Sequence, residues 1–327
     1  MRTSPRALAA LAVAAALPLA GCGIPDRVAG LRAAPVEQAT GAVFSAAAAR
    51  QVADRALAAA RAATGASSGA AAERTTALAG PALRLAEVAA KFVDTGAPNA
   101  LTMPPKVQVL GVSKGRGWPR TLLATAQQDG VQTLYVLIQR DATTPVKLHT
   151  AVPMQAGASV PALPEIADGI TRVEDGSGLV DRPEKVIAAY AALLTYPAKA
   201  TKSAIVSTND AFAKGLLASS AEQAKALGKL GTFTRSHTVY EQDLVAFRLA
   251  DGSALAFVQA ARHDRLRPTK RAKELLLSAR LAELAGKKKV KKAVDLDWLE
   301  NFAVVIPRSG PATVIGASEQ LRDIDAS

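Results

Sequence analysis

Two Asp-Gly pairs, each between strand-like runs, constrain the fold more than any other feature of the sequence. Asp129-Gly130 separates two runs within 121–140, and Asp251-Gly252 separates two runs within 244–261. Asp-Gly is the strongest short signal for a β-hairpin, because both central positions of the favoured turn need positive φ. The sequence therefore predicts two antiparallel hairpins whose turns lie 122 residues apart.

Helical patterns precede each predicted hairpin. Apolar residues recur at helical spacing over 43–63, and a second helical region is interrupted at Gly80-Pro81, where proline suits a first helical turn. In the second half of the chain we expect one helix over 183–196 and another that begins at Thr208-Asn209-Asp210. The remaining strands are predicted at 107–110, 146–154, 233–240, 302–306 and 313–317.

The order of helices, strands, hairpin and final strand therefore occurs twice, which predicts a structural duplication. Coincidence is the alternative, because Asp-Gly pairs are common and the two halves share little residue identity. We expect an α+β fold of two tandem domains, each with helices packed on an antiparallel sheet. The expected segments are a signal peptide at 1–21, a tether at 22–40, a first domain at 41–160, a linker rich in glycine, proline and alanine at 161–180, and a second domain at 181–327.

The one cysteine of the chain, Cys22, lies at the end of an apolar run and directly follows Leu19, Ala20 and Gly21. Two arginines precede the run, as in a signal peptide. The run is shorter than the roughly 20 apolar residues that a transmembrane helix needs. This pattern resembles the bacterial lipobox, which implies cleavage after residue 21 and a diacylglyceryl group on the Cys22 thiol. An ordinary secretory signal with a spare cysteine is the alternative.

The lipobox resemblance implies that everything after Cys22 is displayed on the extracytoplasmic face of the cell membrane, held there by a lipid anchor. With Gly23, Ile24 and Pro25 after the cysteine and the tandem pattern beyond, the whole chain resembles actinobacterial lipoproteins that carry an uncharacterised domain of the cystatin- and NTF2-like kind. That resemblance implies two helices feeding a curved antiparallel sheet in each half. It carries no known activity and no functional residues.

The formal net charge of +12 is concentrated in one segment of the second half. Residues 262–292 hold twelve basic and three acidic residues, and we expect a helix over 270–285 with Leu277, Leu281 and Leu284 on one face. The basic residues that follow without an acid are Lys287, Lys288, Lys289, Lys291 and Lys292. We expect this basic helical insert to contact an anionic surface, either phospholipid headgroups or acidic wall polymers. A solvated loop that its lysines keep soluble is the alternative.

The sequence contains no convincing catalytic or metal-binding motif. It has no Ser-x-x-Lys, no His-Glu-x-x-His, no P-loop and no Rossmann fingerprint. His149, His237 and His263 are isolated in the sequence, and the first two fall in strand-like stretches where ordinary sheet residues are expected. Asp295 and Asp297 are two acids alone, which do not make a calcium loop.

We therefore expect a non-enzymatic protein that binds something at the cell envelope or acts as a scaffold there, with no cofactor. Its expected partners are the membrane, through the lipid anchor, and an anionic lipid or wall polymer, through the insert. Whether it also has a protein partner is unknown from the sequence. Nucleic acid is not expected, because aromatic residues do not interleave with the basic ones. Two alternatives stay open: an envelope enzyme with acid/base residues in an NTF2-like cavity, and a structural spacer whose active parts are the anchor and the lysine run.

Overall fold

Three helices begin the part of the chain that the structure describes. This computed structural model describes residues 41–64, 71–92, 101 and 103–327. The helices are α1 (Ala46–Ala63), α2 (Ala71–Ala77) and α3 (Gly80–Lys91). The hydroxyl oxygen of Ser45 accepts a hydrogen bond from the Ala48 amide, which caps α1 and makes it begin three residues later than predicted.

Sheet A follows these helices. Its strands are β1 (Gln108–Val112), β2 (Arg120–Gln128), β3 (Val131–Gln139) and β4 (Lys147–Pro153). All neighbours are antiparallel, in the order β1-β2-β3-β4. Asp129 and Gly130 have φ of 52° and 79° and form the two-residue turn between β2 and β3. The first predicted hairpin is therefore confirmed, with the positive φ values that its sequence favours.

Two helices precede the second set of strands: α4 (Pro183–Leu193) and α5 (Ala211–Leu227). The Asp210 carboxylate accepts a hydrogen bond of 2.8 Å from the Ala213 amide, so it caps the start of α5. Gly228, with a φ of 50°, follows the last residue of that helix. Both predicted helices are confirmed, although α4 ends three residues before the predicted end.

Sheet B contains the remaining long strands. They are β5 (Gly231–Val239), β6 (Val245–Arg248), β7 (Ala254–Pro268), β10 (Val294–Ile306) and β11 (Thr313–Ala326). Between β7 and β10 lie β8 (Leu275–Leu276), α6 (Ala279–Ala285) and β9 (Lys289–Val290). Strand β7 pairs with β10 along one edge and with both β5 and β6 along the other, and β11 pairs with the outer edge of β10. Strands β5 and β6 therefore act as one interrupted strand.

Both sheets are antiparallel meanders that follow helices, but their Asp-Gly turns are not equivalent. Asp129-Gly130 joins the second and third strands of sheet A, whereas Asp251-Gly252 joins the first and second strand positions of sheet B. The Asp251 carboxylate accepts a hydrogen bond of 2.9 Å from the Ser253 amide, and the Leu249 amide donates to the Ser253 carbonyl oxygen. The antiparallel pairing of β6 with β7 confirms the second predicted hairpin, but this Asx turn closes a loop longer than two residues.

The two sheets pack face to face, and helices cover the outer face of sheet A. Leu57 of α1 packs with Leu122 of β2 on that outer face. The next residue, Leu123, points to the opposite face, because successive side chains of a strand alternate. It packs there with Phe247 and Phe257 of sheet B. The two sheets therefore share an apolar layer.

Helices α4 and α5 cover the outer face of sheet B, where Tyr190 and Ala213 pack with Phe302 and Val304. The layers are therefore helices, sheet A, sheet B and helices. Because both faces of each sheet are buried, a strand such as β3 is apolar at successive positions instead of alternating. The fold is mixed α+β with antiparallel sheets, as predicted.

Residues 161–180, the expected linker, contact both sheets. Ile170 is fully buried in the apolar layer that the sheets share, and its amide donates to the Val112 carbonyl oxygen at 2.7 Å. The Val173 amide donates to the Ala246 carbonyl oxygen at 2.9 Å. Residues Ala39–Ser327 form one compact unit with its own hydrophobic cores, so this segment can be studied without residues 1–38.

Candidate functional site

The basic insert is the connection between β7 and β10, at one end of sheet B. Strand β7 continues to Pro268 and β10 begins at Val294, so the insert covers 269–293. The predicted start at residue 262 is wrong, because 262–268 belongs to β7 and pairs with neighbouring strands. The insert itself contains nine basic and two acidic residues.

The insert folds into a two-stranded ladder with a short helix between its strands. Leu275 pairs with Val290 in the ladder of β8 and β9. Helix α6 begins after Ser278, whose hydroxyl oxygen accepts a hydrogen bond from the Leu281 amide. The predicted helix over 270–285 is therefore wrong in its first half, because the backbone there pairs with a later part of the chain.

An apolar cluster fixes the insert to sheet B. The side chains that the insert contributes are Leu277, Leu281, Ala285 and Val290. They pack with Leu296 and Trp298 of β10 and with Leu321 of β11. The predicted helical face of Leu277, Leu281 and Leu284 is wrong, because Leu277 precedes α6 and Leu284 is not in this cluster. Leu277 and Leu281 do pack in the same cluster, and their packing holds the exposed side of the insert in place.

All five predicted lysines of the insert are exposed. Lys287 donates a hydrogen bond from Nζ to the Ala326 carbonyl oxygen at 2.6 Å, and Lys289 pairs with Glu274. Four of the lysines have no carboxylate partner among the described residues: Lys287, Lys288, Lys291 and Lys292. The structure thus brings the predicted lysines together on one exposed segment.

Next to the insert, sheet B buries a network of charged side chains. Arg262 of β7 donates from Nη1 to Glu300 Oε1 at 2.6 Å and also contacts Glu319 of β11. Its Nε lies 3.3 Å from Asp264 Oδ2. Oε2 of Glu300 lies 3.2 Å from Nε2 of His237. The side chains of Arg262, Glu300 and His237 are 3%, 0% and 1% exposed, so the charges of Arg262 and Glu300 are balanced by each other and not by water.

A second buried ion pair extends this network to α5. Arg235 of β5 donates to both carboxylate oxygens of Asp264, at 2.6 and 2.8 Å. Its Nη1 donates to Ser220 Oγ at 2.6 Å and to the Leu216 carbonyl oxygen at 2.8 Å, both on α5. This bidentate pair therefore ties α5 to β5 and β7.

Arg262 is held in its cationic form. Burial alone would lower the pKa of its guanidinium, but the carboxylates of Glu300, Glu319 and Asp264 outweigh burial and raise that pKa above its usual value. The guanidinium carbon lies 4.5 Å from the centre of the Trp298 ring, within range of a cation–π contact. Trp298 therefore links the charged network to the apolar cluster under the insert.

His263 lies on the opposite face of β7, with its ring between two carboxylates. Its Nδ1 is 2.8 Å from Asp297 Oδ1, and its Nε2 is 3.1 Å from Asp295 Oδ1. Partial burial alone would raise the pKa of Asp297, but hydrogen bonds from His263 and Arg322 hold that pKa below its ordinary value. The expected isolation of His263 is wrong, because the register of β7 and β10 places it opposite Asp297.

The other two histidines lie in strands, as predicted: His149 in β4 and His237 in β5. His149 is buried, and Gly80 at the start of α3 passes close to its ring. Burial is the main reason that the pKa of His149 falls to about 3. This histidine is therefore a neutral packing residue.

A pocket of about 310 Å³ opens between α6 and the edge of sheet B. Apolar side chains such as Leu284 and Leu321 line it beside Trp298, with Arg280 and Glu319 as its charged groups. Among the described residues, its lining carries one carboxylate and no histidine. The pocket therefore offers apolar contact area, and it does not bring a histidine and a carboxylate together.

The predicted lipobox, Leu19, Ala20, Gly21 and Cys22, lies outside the described residues. Among the helices that are described, none is both long and apolar enough to cross a membrane. The described residues also contain no group of three or more His, Cys, Asp or Glu side chains that could hold a metal ion.

The buried network was missed in the sequence, although a signal for it existed. Arg235 and His237 are two positions apart in one strand, as are Arg262 and Asp264 in another. Side chains at i and i+2 share a face of a strand, so each pair points in one direction. The pairing register that brings the two strands side by side is not visible in the sequence.

A family model described as "Domain of unknown function (DUF8094)" matches residues 113–324, which is well over half of the chain. The match runs from before β2 into β11, so it includes three strands of sheet A, nearly all of sheet B and the insert, but not β1. No curated protein and no solved structure matches the chain.

Proposed function

The chain belongs to the DUF8094 family, and because the description of that family names no activity, we propose a function from the geometry of the insert. We propose a lipid-anchored protein of the cell envelope that binds an anionic surface with the insert and has no catalytic role. The observation that carries this proposal is the exposure of five lysines on a segment whose apolar side is fixed to sheet B.

The insert suits an anionic surface because its charge is concentrated and held in place. Each lysine or arginine near an anionic leaflet contributes about 1 kcal/mol to binding. The ladder of β8 and β9 and the helix α6 already order the backbone, so binding costs little further ordering. Anionic phospholipid headgroups and acidic wall polymers both offer the required charge.

We place the lipid anchor on Cys22, after removal of residues 1–21, with the rest of the chain on the extracytoplasmic face. The support is the sequence alone: Leu19, Ala20 and Gly21 before the one cysteine, at the end of an apolar run. Acyl chains in pairs attach a protein stably, so the insert would set orientation more than attachment.

We also propose that the two halves are tandem cystatin- or NTF2-like units of a lipoprotein of the actinobacterial kind. What supports this is the topology that the halves share. In each, helices precede an antiparallel meander of four strand positions and cover one of its faces.

Binding to vesicles tests the role of the insert. Residues 39–327 should bind vesicles that contain phosphatidylglycerol and not vesicles of phosphatidylcholine alone. The test variant replaces the five insert lysines by glutamine, and we expect its partition onto the anionic vesicles to fall at least about tenfold. The matched control replaces five exposed lysines elsewhere by glutamine: Lys106, Lys114, Lys199, Lys202 and Lys214.

If the two lysine variants bind the anionic vesicles equally, the insert has no special role in binding and is only a solvated loop. Substitution is preferable to deletion here, because removal of the insert would also remove Val290 and uncover the apolar cluster on sheet B. The glutamine variants keep that cluster and remove the charge, together with the contacts of Lys287 with Ala326 and of Lys289 with Glu274.

Mass spectrometry of the membrane-bound protein tests the anchor. We expect a chain that begins at Cys22 and carries acyl groups. Globomycin, which blocks the lipoprotein signal peptidase, should leave residues 1–21 attached. A mature protein with a bare Cys22 thiol would overturn the anchor and leave the vesicle test of the insert unaffected.

A second candidate is an envelope enzyme, and the pair of His237 and Glu300 is the observation that favours it. A histidine beside a carboxylate at 3.2 Å can act as an acid/base pair. Both side chains are buried, and neither lines the pocket beside α6. We rank the binding role first, because a substrate at that pocket would not reach the pair.

A further inference from the structure

Leu276 is the most exposed large hydrophobic residue in the described part of the chain, at 75% of its full accessibility. It lies in β8, where it pairs with Lys289 of β9. Its neighbour Leu277 packs in the apolar cluster on sheet B, so Leu276 points away from that cluster. The insert therefore presents a leucine side chain to solvent among its lysines.

A second exposed leucine lies at the same end of sheet B. Leu230, between α5 and β5, is 53% exposed. Its carbonyl oxygen accepts a hydrogen bond of 2.8 Å from the amide of Thr269, the first residue of the insert. The residue after it, Gly231, pairs with Pro268 at the end of β7. Leu230 therefore adjoins the insert.

Exposed basic residues lie near both leucines along the chain, and Asp323 and Asp325 of β11 are exposed acids at this end of the sheet. The basic residues exposed at this end of sheet B are Lys229, Arg267, Lys270, Arg271, Lys273 and the five insert lysines. The insert has two acids, and both are paired within it: Glu274 with Lys289 and Glu283 with Arg280. We call this surface, together with Leu230 and Leu276, the basic tip.

The basic tip matches the two layers of an anionic bilayer. Lysine side chains reach phosphate groups at the surface, and apolar side chains beside them are most stable at the boundary between headgroups and acyl chains. An acidic polymer in water offers charge but no apolar layer, so it would leave the two leucines exposed. Exposed apolar groups in a basic rim therefore favour a membrane over a polymer.

We infer that the basic tip docks on an anionic phospholipid bilayer, with Leu276 and Leu230 among the acyl chains and the lysines at the phosphates. This inference rests on the proposed function and narrows its anionic surface to a bilayer. The protein then holds the membrane through a protein surface as well as through a covalent acyl group.

Two leucine substitutions test the inference. Residues 39–327 are titrated with phosphatidylglycerol-containing vesicles and, separately, with soluble polyphosphate. Leu276→Ser combined with Leu230→Ser should lower the partition onto vesicles about tenfold and leave polyphosphate binding unchanged, because only the bilayer offers an apolar layer. Val131→Ser is the matched control, since Val131 is 46% exposed beside the hairpin turn of sheet A, and it should change neither.

The outcomes separate this inference from the proposed function. If the double leucine variant binds vesicles as tightly as the wild type while the five-lysine variant does not, the inference is wrong and the proposed function stands. Binding to polyphosphate without binding to vesicles would exclude the bilayer and favour a wall polymer. A wild type that binds neither would overturn both.

A fluorescent label gives a second measurement that does not depend on lost binding. Cys22 is the only cysteine of the chain, so Leu276→Cys in residues 39–327 carries one reactive thiol. An environment-sensitive dye on it should shift its emission to the blue with anionic vesicles and not with polyphosphate. The same dye on Val131→Cys should not shift. An unshifted dye at position 276 on vesicle-bound protein would overturn the inference.

Discussion

His149 shows how one buried side chain affects the acid stability of the fold. It is 5% exposed in β4, and its Nδ1 lies 2.8 Å from the Thr150 hydroxyl oxygen. Burial, helped by the charges of Arg140, Arg84 and Arg172, lowers its pKa from 6.5 to about 3. Below about pH 6.5 the imidazole of His149 is therefore protonated in the unfolded chain and stays neutral in the folded protein.

We expect the free energy of unfolding to fall as the pH drops below about 6.5, since only the unfolded state then binds a proton at position 149. The slope is about 1.4 kcal/mol per pH unit, which gives a loss of about 2 kcal/mol between pH 7 and pH 5. His149→Gln should lose this part of the pH dependence. Urea unfolding of both proteins at the two pH values measures it, and parallel losses would contradict neutral burial of His149.

Gly80 shows how closely the backbone of α3 approaches that histidine. Its φ is 50°, and an added Cβ would lie 2.7 Å from His149 Nε2 and 3.2 Å from Asp243 Oδ1. We expect Gly80→Ala to destabilise the fold by about 2–4 kcal/mol, through backbone strain and a steric clash. Gly130→Ala is the matched control, because it has a φ of 79° and open space around it, and it should cost about 1–2 kcal/mol. Equal costs in denaturant unfolding would show that the clash is absent.

At the scale of elements, the buried network joins four strands of sheet B, β5, β7, β10 and β11, and helix α5. Arg262 contacts Glu300, Glu319 and Asp264, so its removal leaves the fully buried carboxylate of Glu300 without its arginine partner. We expect Arg262→Met to cost about 3–5 kcal/mol. Arg280→Met, which removes an exposed pair with Glu283, should cost less than about 1 kcal/mol.

Guanidinium-chloride unfolding compares these two variants. Combining Arg262→Met with Glu300→Gln should recover part of the loss, because the second change removes a buried charge that the first leaves unpaired. A cost for Arg262→Met no larger than that for Arg280→Met would mean that the network is accessible to water.

Elements that local turns and caps define could be predicted from the sequence. Strands β2 and β3 were predicted almost to the residue, because Asp129-Gly130 fixes their turn. Helix α5 was predicted because Asp210 caps it. The end of β7 could not be predicted, because charged residues such as Arg262 and Asp264 are normally exposed. In the folded sheet Arg262 pairs with Glu300, and Asp264 pairs with Arg235.

The candidate site was predictable in its charge and not in its geometry. The lysine run is visible as composition, and its exposure follows from the cost of burying unpaired charge. That Leu277 is covered and Leu276 exposed depends on the pairing of β8 with β9, which the helix-like spacing of leucines conceals. Likewise, Asp297 meets His263 only through the register of β7 and β10.

At the scale of the whole molecule, the apolar layer between the sheets couples the two halves. Leu123 and Val136 of sheet A lie against Phe257 and Ile315 of sheet B and are almost fully covered by them and their neighbours. Neither half could separate without exposing this layer to water, at a cost of about 25 cal/mol per Å² of apolar surface. We therefore expect residues 39–327 to unfold in a single transition.

The two tryptophans report on the two halves separately. Trp118 precedes β2 of sheet A, and Trp298 lies in β10 of sheet B. Trp118→Phe and Trp298→Phe each leave one probe, and their fluorescence transitions in urea should coincide with each other and with circular dichroism. Two separate midpoints would contradict the coupling and indicate halves that fold independently.

The apolar layer between the sheets can be completed only after both halves of the chain have been synthesised. Ribosomes make the chain from its N-terminus at about 5–20 residues per second, so about 10–30 seconds pass between the completion of β4 and the start of β11. During that interval Leu123, Leu134 and Val136 lack part of their cover, because Ala303 and Ile315 of sheet B are made last. Until the second half has been made, the first half therefore exposes apolar surface that favours aggregation.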